Sequence, residues 1–151
     1  MATQTVQELF DREAIKEVRA RFAQALDFKD WTLFESLLLE ELDTDYADFG
    51  IPAQKMHRED LSKIFRFAFS KEGLRTQHII SNFRITVTGD TAQCISHFLG
   101  QHYIQGFEGG DEFFLKAQYT DQLVRTEDGW KIGALTFTVF YMSGNRALIE
   151  P

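Results

Sequence analysis

The side chains best suited to acid–base chemistry in this sequence are its four histidines, because imidazole gains and loses a proton near neutral pH. They are His57, His78, His97 and His102. Their spacing follows neither His-Glu-x-x-His nor another compact zinc-binding pattern, and the chain contains a single cysteine. We therefore expect no metal site and treat the histidines as candidate acids and bases.

His78 opens the stretch TQHIISNFRITV, in which Phe83, Ile85 and Val87 alternate with polar residues. Strict alternation is typical of a half-buried strand. His78 is thus predicted to stand where a strand begins, as a reactive group, a ligand or a polar residue that closes the strand end.

Two other histidines lie on one predicted strand. His97 and His102 are five residues apart, so in a regular strand they face opposite sides of the sheet. His97 shares the more apolar row with Ile95, Leu99 and Tyr103. We therefore expect His97 to face the interior and His102 to face solvent or a partner subunit.

Three further residues are less distinctive by pattern alone. Asp27 ends a predicted helix, beside the apolar face rather than at its centre, and is by periodicity a helix-end carboxylate. Tyr46, between Asp45 and Asp48, is an ordinary strand residue. Cys94 has apolar strand neighbours and is expected to be a small core residue rather than a nucleophile.

The elements that must position these side chains are helices in the first half of the chain and strands in the second. Helical spacing predicts helices over about 6–27, 31–39 and 58–70. Strand-like patterns predict a short strand over 43–50 and longer strands over 78–88, 91–105, 112–126 and 130–142. This order predicts one α+β domain over 1–151. We expect a cone-shaped barrel in which a curved mixed or antiparallel sheet wraps around the N-terminal helices, with the pocket between them.

Composition limits the partners. A net charge of −7 without any basic run excludes a nucleic-acid partner. No stretch approaches the ~20 apolar residues of a membrane helix, the N-terminus carries acids where a signal peptide carries bases, and one cysteine fits a reducing compartment. We expect a cytoplasmic protein with no membrane partner. Fifteen Phe indicate either an aromatic core or an apolar cavity.

Five stretches of the sequence, taken in order, resemble the SnoaL-like branch of the nuclear-transport-factor-2-like superfamily, and within it the scytalone dehydratases. They are ALDFKDW, DTDYADF, TQHIISN, ISHFLGQHYI and DQLVRTEDGWKIGAL. The resemblance extends over nearly the whole chain. The stretch DFKDW at 27–31 matches the Asp-x-Lys-Asp-Trp of those enzymes letter for letter.

This resemblance implies a lyase without cofactor or metal, which removes water from a hydroxylated cyclic ketone by His/Asp acid–base catalysis in an apolar pocket. It assigns the acid–base role to His78 and the orienting carboxylate to Asp27. It assigns a second pocket histidine to His97, and polarisation of the ketone through a water molecule to Tyr46. The implied partner is a small aromatic or polyketide-like substrate.

The resemblance also bears on substrate contacts. Phe49 matches a phenylalanine that contacts the ring, and Phe22 is predicted to contact the substrate from the first helix. A polar pair on the penultimate long strand falls near Gln118 and Thr120. Leu26 departs from the pattern, because it stands where those enzymes have a second ketone-polarising tyrosine. The C-terminal segment that covers their pocket is short here or missing.

Other functions of the superfamily remain open, namely an isomerase or cyclase acting on a polyketide- or steroid-like substrate, and a non-catalytic small subunit of a ring-hydroxylating dioxygenase. A hydrogen bond between Asp27 and His78 inside a hollow cavity would favour an acid–base enzyme. A solid core with His78 bonded to backbone would favour the structural subunit. The resemblance further implies a homotrimer, with a dimer as the alternative, and we expect the contact around Phe98, His102 and Ile104.

Overall fold

The computed structural model describes residues 5–150, in which three α-helices and six β-strands follow one another. They are α1 (Val6–Phe28), α2 (Trp31–Ser36), β1 (Leu38–Tyr46), β2 (Ile51–His57), α3 (Arg58–Ala68), β3 (Arg75–Thr88), β4 (Thr91–Tyr103), β5 (Glu112–Thr126) and β6 (Gly129–Gly144). Short 3₁₀ turns at Ala47–Phe49 and Arg146–Leu148 complete the described part of the chain.

Helix α1 is the longest helix and its ends are well defined. The Thr5 side chain accepts the backbone N–H of Glu8, while the Glu8 carboxylate accepts the backbone N–H of Thr5, so two free donors of the first turn are satisfied. The helix ends at Phe28 and is capped by Lys29, whose φ of 55° is left-handed. Its buried row, which includes Ile15, Phe22 and Leu26, packs on the inner face of the sheet.

The six strands form one sheet in the order β2-β1-β6-β5-β4-β3. Strand β1 pairs parallel with β6, and all other neighbours are antiparallel. The predicted α+β class and the mixed sheet around N-terminal helices are therefore confirmed. Within residues 5–150 the sheet does not close on itself, because β2 and β3 are its two edges. The helices cover the inner face and leave a hollow at one end.

The chain turns from helix to strand earlier than helical periodicity predicts. Helix α2 ends at Ser36, and Leu38 and Leu39 already belong to β1, where Leu38 is opposite Ile132 of β6. Strand β2 was not predicted, because Pro52 interrupts it. Proline is tolerated there since β2 is an edge strand, where a missing N–H leaves no partner unsatisfied.

A bulge in β3 decides which side chains of that strand face inward. Its register against β4 shifts between Ser81 and Arg84, and Asn82 has a left-handed φ of 53°. His78 faces inward before the bulge, and Ile85 faces inward after it, although the two are an odd number of residues apart. The extra residue thus places His78 on the same face as the apolar row that alternation predicts.

Among residues 5–150, no helix combines the length and the hydropathy that a membrane crossing requires.

Candidate active site

Asp27 and His78 meet at the inner face of the sheet. Asp27 Oδ1 lies 2.6 Å from His78 Nδ1, and Asp27 Oδ2 accepts the backbone N–H of His78 at 3.0 Å. Thr76, two residues earlier on β3, donates its hydroxyl to Asp27 Oδ1 at 2.9 Å. Three donors therefore fix the carboxylate, which reaches from the last turn of α1 to the edge strand of the sheet.

The position of Asp27 is electrostatically unfavourable for a helix alone. Carboxylates are stabilised at helix N-termini, whereas Asp27 lies in the last turn of α1, where the helix dipole is negative. The three hydrogen bonds from β3 compensate for this. A carboxylate placed against the dipole and held by a neighbouring strand is typical of a residue kept for its contact rather than for helix stability.

The contact with Asp27 also fixes the tautomer of His78. An ionised carboxylate only accepts hydrogen bonds, so Nδ1 of His78 carries the proton and Nε2 presents its lone pair. The imidazole is 2% exposed and the carboxylate 16%. The His78 ring lies between Phe98, with centroids 5.1 Å apart, and Phe69, at 5.8 Å.

His78 borders an apolar cavity enclosed by α3, the inner face of the sheet and the C-terminal turn. Its lining residues are Leu26, Tyr46, Phe49, Ile51, Leu61, Ile64, Phe65, Ala68, Phe69, His78, Phe98, His102, Leu115, Phe137 and Ile149. The cavity volume between them is about 80 Å³, below the ~300–1,000 Å³ range of small-ligand pockets, so a bicyclic ligand would also have to occupy the open mouth. The polar side chains in this lining are those of Tyr46, His78 and His102.

The predicted inward position of His97 is wrong. Strand β4 turns its even-numbered residues inward, so that Phe98 and His102 are buried, while His97 lies on the outer face. There His97 Nδ1 is 2.8 Å from Asn82 Nδ2, and its ring contacts the exposed Phe140. The five-residue spacing correctly placed the two histidines on opposite faces. The choice of face failed because both rows of β4 are rich in apolar side chains.

His102 is therefore the second histidine of the cavity. Its ring is 5.5 Å from that of His78 in an edge-to-face arrangement, and its Nδ1 lies 3.2 Å from the Phe113 carbonyl oxygen. A carbonyl only accepts, so Nδ1 donates and Nε2 offers a lone pair. Burial, helped by the neighbouring His78, lowers the pKa of His102 to about 4. At neutral pH His102 is an uncharged hydrogen-bond acceptor.

Gly100 makes room for this histidine pair. It is directly opposite His78 in the register of β3 and β4 and points to the inner face. A Cβ atom at this position would lie 2.8 Å from the Phe98 ring and 3.2 Å from the His102 ring. Any other residue at this position would therefore require these rings to shift.

The predicted Tyr46 lies at the other end of the lining. It is the last residue of β1, it is buried, and its ring packs against Phe65 and Phe137. Its hydroxyl lies 3.2 Å from the hydroxyl of Tyr119 on β5. Tyr119 is buried behind Tyr46 and is not part of the cavity lining. Periodicity of β5 places Tyr119 on the inner row, but no sequence pattern pairs it with Tyr46.

Some of the predicted substrate contacts border the cavity and others do not. Phe49 lines the cavity, and so does Leu26. Phe22 does not line it: the Phe22 ring is fully buried behind Phe65 and Tyr119, at centroid distances of 6.4 and 5.9 Å, and that part of the prediction is wrong.

The prediction for Thr120 is also wrong. Strand β5 buries its odd-numbered residues, so Thr120 lies on the outer face, 3.5 Å from the side chain of Gln118. Two charged residues occupy the interior instead: Asp121 of β5 makes a bidentate ion pair with Arg19 of α1, and both are fully buried. The signal that could have found them is a charge in each of two otherwise apolar rows.

The predicted oligomer contact lies inside the protomer. Phe98, His102 and Ile104 are buried in the core, so they cannot form the expected contact between subunits. The homotrimer itself stays a prediction. At the C-terminus, Ile149 follows the last 3₁₀ turn and reaches the cavity, so a short segment does cover one side of the pocket.

Metal ligands do not assemble in the described part of the chain: no three His, Cys, Asp or Glu side chains form a cluster able to hold an ion. Burial raises the pKa of the Cys94 thiol to about 12, which leaves it protonated and unreactive.

Several solved structures share this fold. The Kfla4162 protein of Kribbella flavida superposes with a TM-score of 0.86 at 25% identity, over 95% of this chain and 99% of that one. A candidate scytalone dehydratase of Novosphingobium aromaticivorans gives 0.81 at 20% identity, over 94% and 92%. The hexachlorocyclohexane dehydrochlorinase LinA-type3 of Novosphingobium barchaimii gives 0.74 at 20% identity, over 91% and 92%.

These identities demonstrate a shared fold rather than a shared activity. No curated protein matches the sequence significantly. The sequence profile of the SnoaL-like domain matches residues 7–136, which is most of the chain, and an NTF2-like protein of Novosphingobium aromaticivorans shares the fold with a TM-score of 0.73. The chain therefore belongs to the SnoaL-like domain family.

Proposed function

We propose that the protein is a cofactor-independent lyase that eliminates water from a hydroxylated cyclic ketone. The observation that carries this proposal is the hydrogen bond between Asp27 and His78 at the wall of an apolar cavity. Among residues 5–150, the side-chain hydrogen bond of His78 is that to Asp27, which leaves Nε2 without a partner, and a purely structural subunit has no need of such a buried imidazole. The fold is also that of LinA-type3, which is described as a dehydrochlorinase, and elimination is the chemistry such a dyad serves.

The dyad supplies the proton transfers. His78 Nε2 removes the proton from the carbon next to the ketone, and the imidazolium that forms is stabilised by Asp27. The carbon–oxygen bond of the β-hydroxyl then breaks, a carbon–carbon double bond forms, and His78 returns the proton to the departing hydroxyl as water. His78 ends in its starting state, so the reaction needs no other reactant.

Tyr46 is placed to serve the ketone oxygen. Tyr46 belongs to the same lining as His78, and burial raises the pKa of Tyr46 well above its ordinary value, so its hydroxyl stays a neutral donor. A donor aimed at the oxygen where negative charge develops stabilises the enolate-like transition state. His102, an uncharged acceptor, is placed to receive a hydroxyl hydrogen of the substrate.

The lining predicts an uncharged, ring-bearing substrate. Neither lysine nor arginine is among the fifteen lining residues, and twelve of the side chains are apolar. A carboxylate or phosphate on the substrate would be buried without a cation, which is costly. Flat aromatic or polyketide-like ketones match the apolar, uncharged lining. The adjacent rings exclude water from the reacting atoms.

The test is dehydration of β-hydroxy-α-tetralone, a bicyclic β-hydroxy ketone whose dehydration product tautomerises to fluorescent α-naphthol. We expect turnover by the wild type, and a fall in kcat/KM of about 10²–10⁴ for His78→Ala and for Asp27→Asn, the usual contribution of a positioned acid–base group. Asp27→Asn keeps the shape of the side chain but no longer stabilises an imidazolium.

The matched control is His97→Ala, the same substitution on the same sheet but on its outer face. We expect its kcat/KM to equal that of the wild type. Equal losses for His97→Ala and His78→Ala would contradict the assignment. Release of an isomerised ketone in place of naphthol would identify the isomerase alternative.

A further inference from the structure

A chain of buried polar side chains lies behind Tyr46, on the side away from the cavity. The proposed dehydration assigns these side chains no role. Tyr46 borders the cavity, and the Tyr119 hydroxyl lies 3.2 Å behind the Tyr46 hydroxyl. Behind Tyr119 lies Arg19, whose guanidinium carbon is 3.8 Å from the centroid of the Tyr119 ring. Asp121 holds Arg19 from the far side in a bidentate ion pair. All four side chains are buried.

The direction of the hydroxyl–hydroxyl bond follows from its partners. Within the described chain, the Tyr119 hydroxyl has one hydrogen-bond partner, the Tyr46 oxygen. A buried hydroxyl proton is almost always donated. If Tyr119 donates to Tyr46, its proton is satisfied and the proton of Tyr46 is free for a ligand in the cavity. The opposite direction would leave the Tyr119 proton without an acceptor.

Arg19 favours donation from the Tyr119 hydroxyl to the Tyr46 oxygen. Among residues 5–150, its Nη1 has no hydrogen-bond partner, and Asp121 occupies its other two donor nitrogens, so part of the charge is directed at the aromatic ring. The charge of Arg19 acts to lower the pKa of Tyr119, which makes the phenol a better donor. Burial raises the pKa of Tyr119 to about 12 despite the opposing effect of Arg19, and the hydroxyl therefore stays protonated.

We propose that Tyr119 is a positioning residue that donates its proton to Tyr46 and so directs the Tyr46 proton to the oxygen of a cavity-bound ketone or enolate. This inference rests on the proposed function, since it names the residue that completes the oxygen-binding end of the same site. Two linked hydroxyls, backed by Arg19, share the negative charge better than one, because hydrogen bonds in a chain polarise one another.

The experiment compares ligands that fill the same space with and without an oxygen anion. Naphthalene and α-naphthol are titrated against the wild type, Tyr119→Phe and Tyr46→Phe at a pH where part of the free naphthol is ionised. The ultraviolet absorbance of naphtholate reports the ionised bound form. For Tyr119→Phe we expect naphtholate to bind about tenfold more weakly, and naphthalene to bind as before. Tyr46→Phe should lose at least as much.

Tyr119→Phe keeps the ring that Arg19 contacts, so its fold should survive, and circular dichroism checks this. In the wild type, proton NMR gives a second measurement: the naphtholate complex should show two strongly downfield hydroxyl signals, one for each link. Equal weakening of naphthalene and naphtholate, no weakening of either, or a single downfield signal would overturn the inference.

The two proposals fail in different ways. If the wild type dehydrates β-hydroxy-α-tetralone but Tyr119→Phe binds both ligands like the wild type, only the role of Tyr119 is lost. If neither ligand binds the wild type, the cavity is not a site for such rings, and both proposals fall.

Discussion

At the scale of single residues, the two cavity histidines have the same side chain but different chemistry. The Nδ1 proton of His78 faces a carboxylate, so an imidazolium at His78 would be stabilised. The Nδ1 proton of His102 faces a carbonyl, and the charge of Asp27 only partly offsets the effect of burial on the His102 pKa. One ring is equipped to accept a proton and the other to remain neutral. The acid–base role is therefore predicted for His78, and a role in substrate orientation for His102.

The neutral state of His102 predicts a dependence of stability on pH. Because the pKa of His102 is about 4 in the folded protein against 6.5 ordinarily, the unfolded chain takes up this proton first as pH falls. Stability from this source is full above pH 6.5 and is lost between pH 6.5 and about 4, by about 3 kcal/mol at 1.36 kcal/mol per pKa unit.

His102→Asn isolates this contribution, since the asparagine amide can still donate to the Phe113 carbonyl but does not titrate. Urea unfolding at pH 7 and pH 4.5 should show a larger loss of the free energy of unfolding for the wild type than for His102→Asn, by about 2–3 kcal/mol. Equal losses in the two proteins would mean that His102 is protonated in the folded state.

At the scale of secondary structure elements, helix α1 must be held in register with β3, because Asp27 and His78 belong to different elements. The N-terminal half of α1 is anchored by Asp11, which accepts two hydrogen bonds from Arg125 at 2.8 and 2.9 Å and one from the buried Trp130 indole at 3.1 Å. This anchor ties the helix to the hairpin formed by β5 and β6.

Removal of that anchor gives a prediction for α1. Asp11→Ala should lower the free energy of unfolding by about 2–3 kcal/mol, because the Trp130 N–H is left buried without an acceptor. Asp60→Ala, which removes an exposed ion pair with Lys63, is the control and should change it by less than about 0.5 kcal/mol. Urea titration measures both. A similar change in the two variants would show that Asp11 does not anchor the helix.

Asp11 and His102 change the free energy of unfolding over different pH ranges. Hydrogen bonds from Arg125 lower the pKa of Asp11 to about 2, so its carboxylate stays ionised through the pH range in which His102 titrates.

Sequence patterns predicted the elements better than the faces they turn to the interior. Helical spacing and alternation placed α1, α3 and the four long strands, because those periods follow directly from backbone geometry. The inward face of β4 could not be chosen, since its outer row, with Ile95 and Leu99, is nearly as apolar as its inner one. The pairing of Asp27 with His78 came from resemblance, as no local pattern links residues 51 positions apart.

At the scale of the whole molecule, the sheet and helices leave a hollow whose polar groups lie at its two ends. The histidines His78 and His102 mark one end and Tyr46 the other, and Phe98 and Phe137 form the wall between them. This layout matches a ring-bearing substrate that carries both a hydroxyl and a ketone.

A ligand of that kind should stabilise the whole protein, since it binds the folded state only. At a concentration of one hundred times its Kd, α-tetralone should raise the free energy of unfolding by about 2.7 kcal/mol and the melting temperature by several degrees. Naphthoate, of similar size but charged, should have little effect, because the lining offers no cation. Ala68→Phe fills the cavity from α3 and should abolish the shift by α-tetralone in differential scanning fluorimetry. A shift retained in Ala68→Phe would place the ligand elsewhere on the molecule.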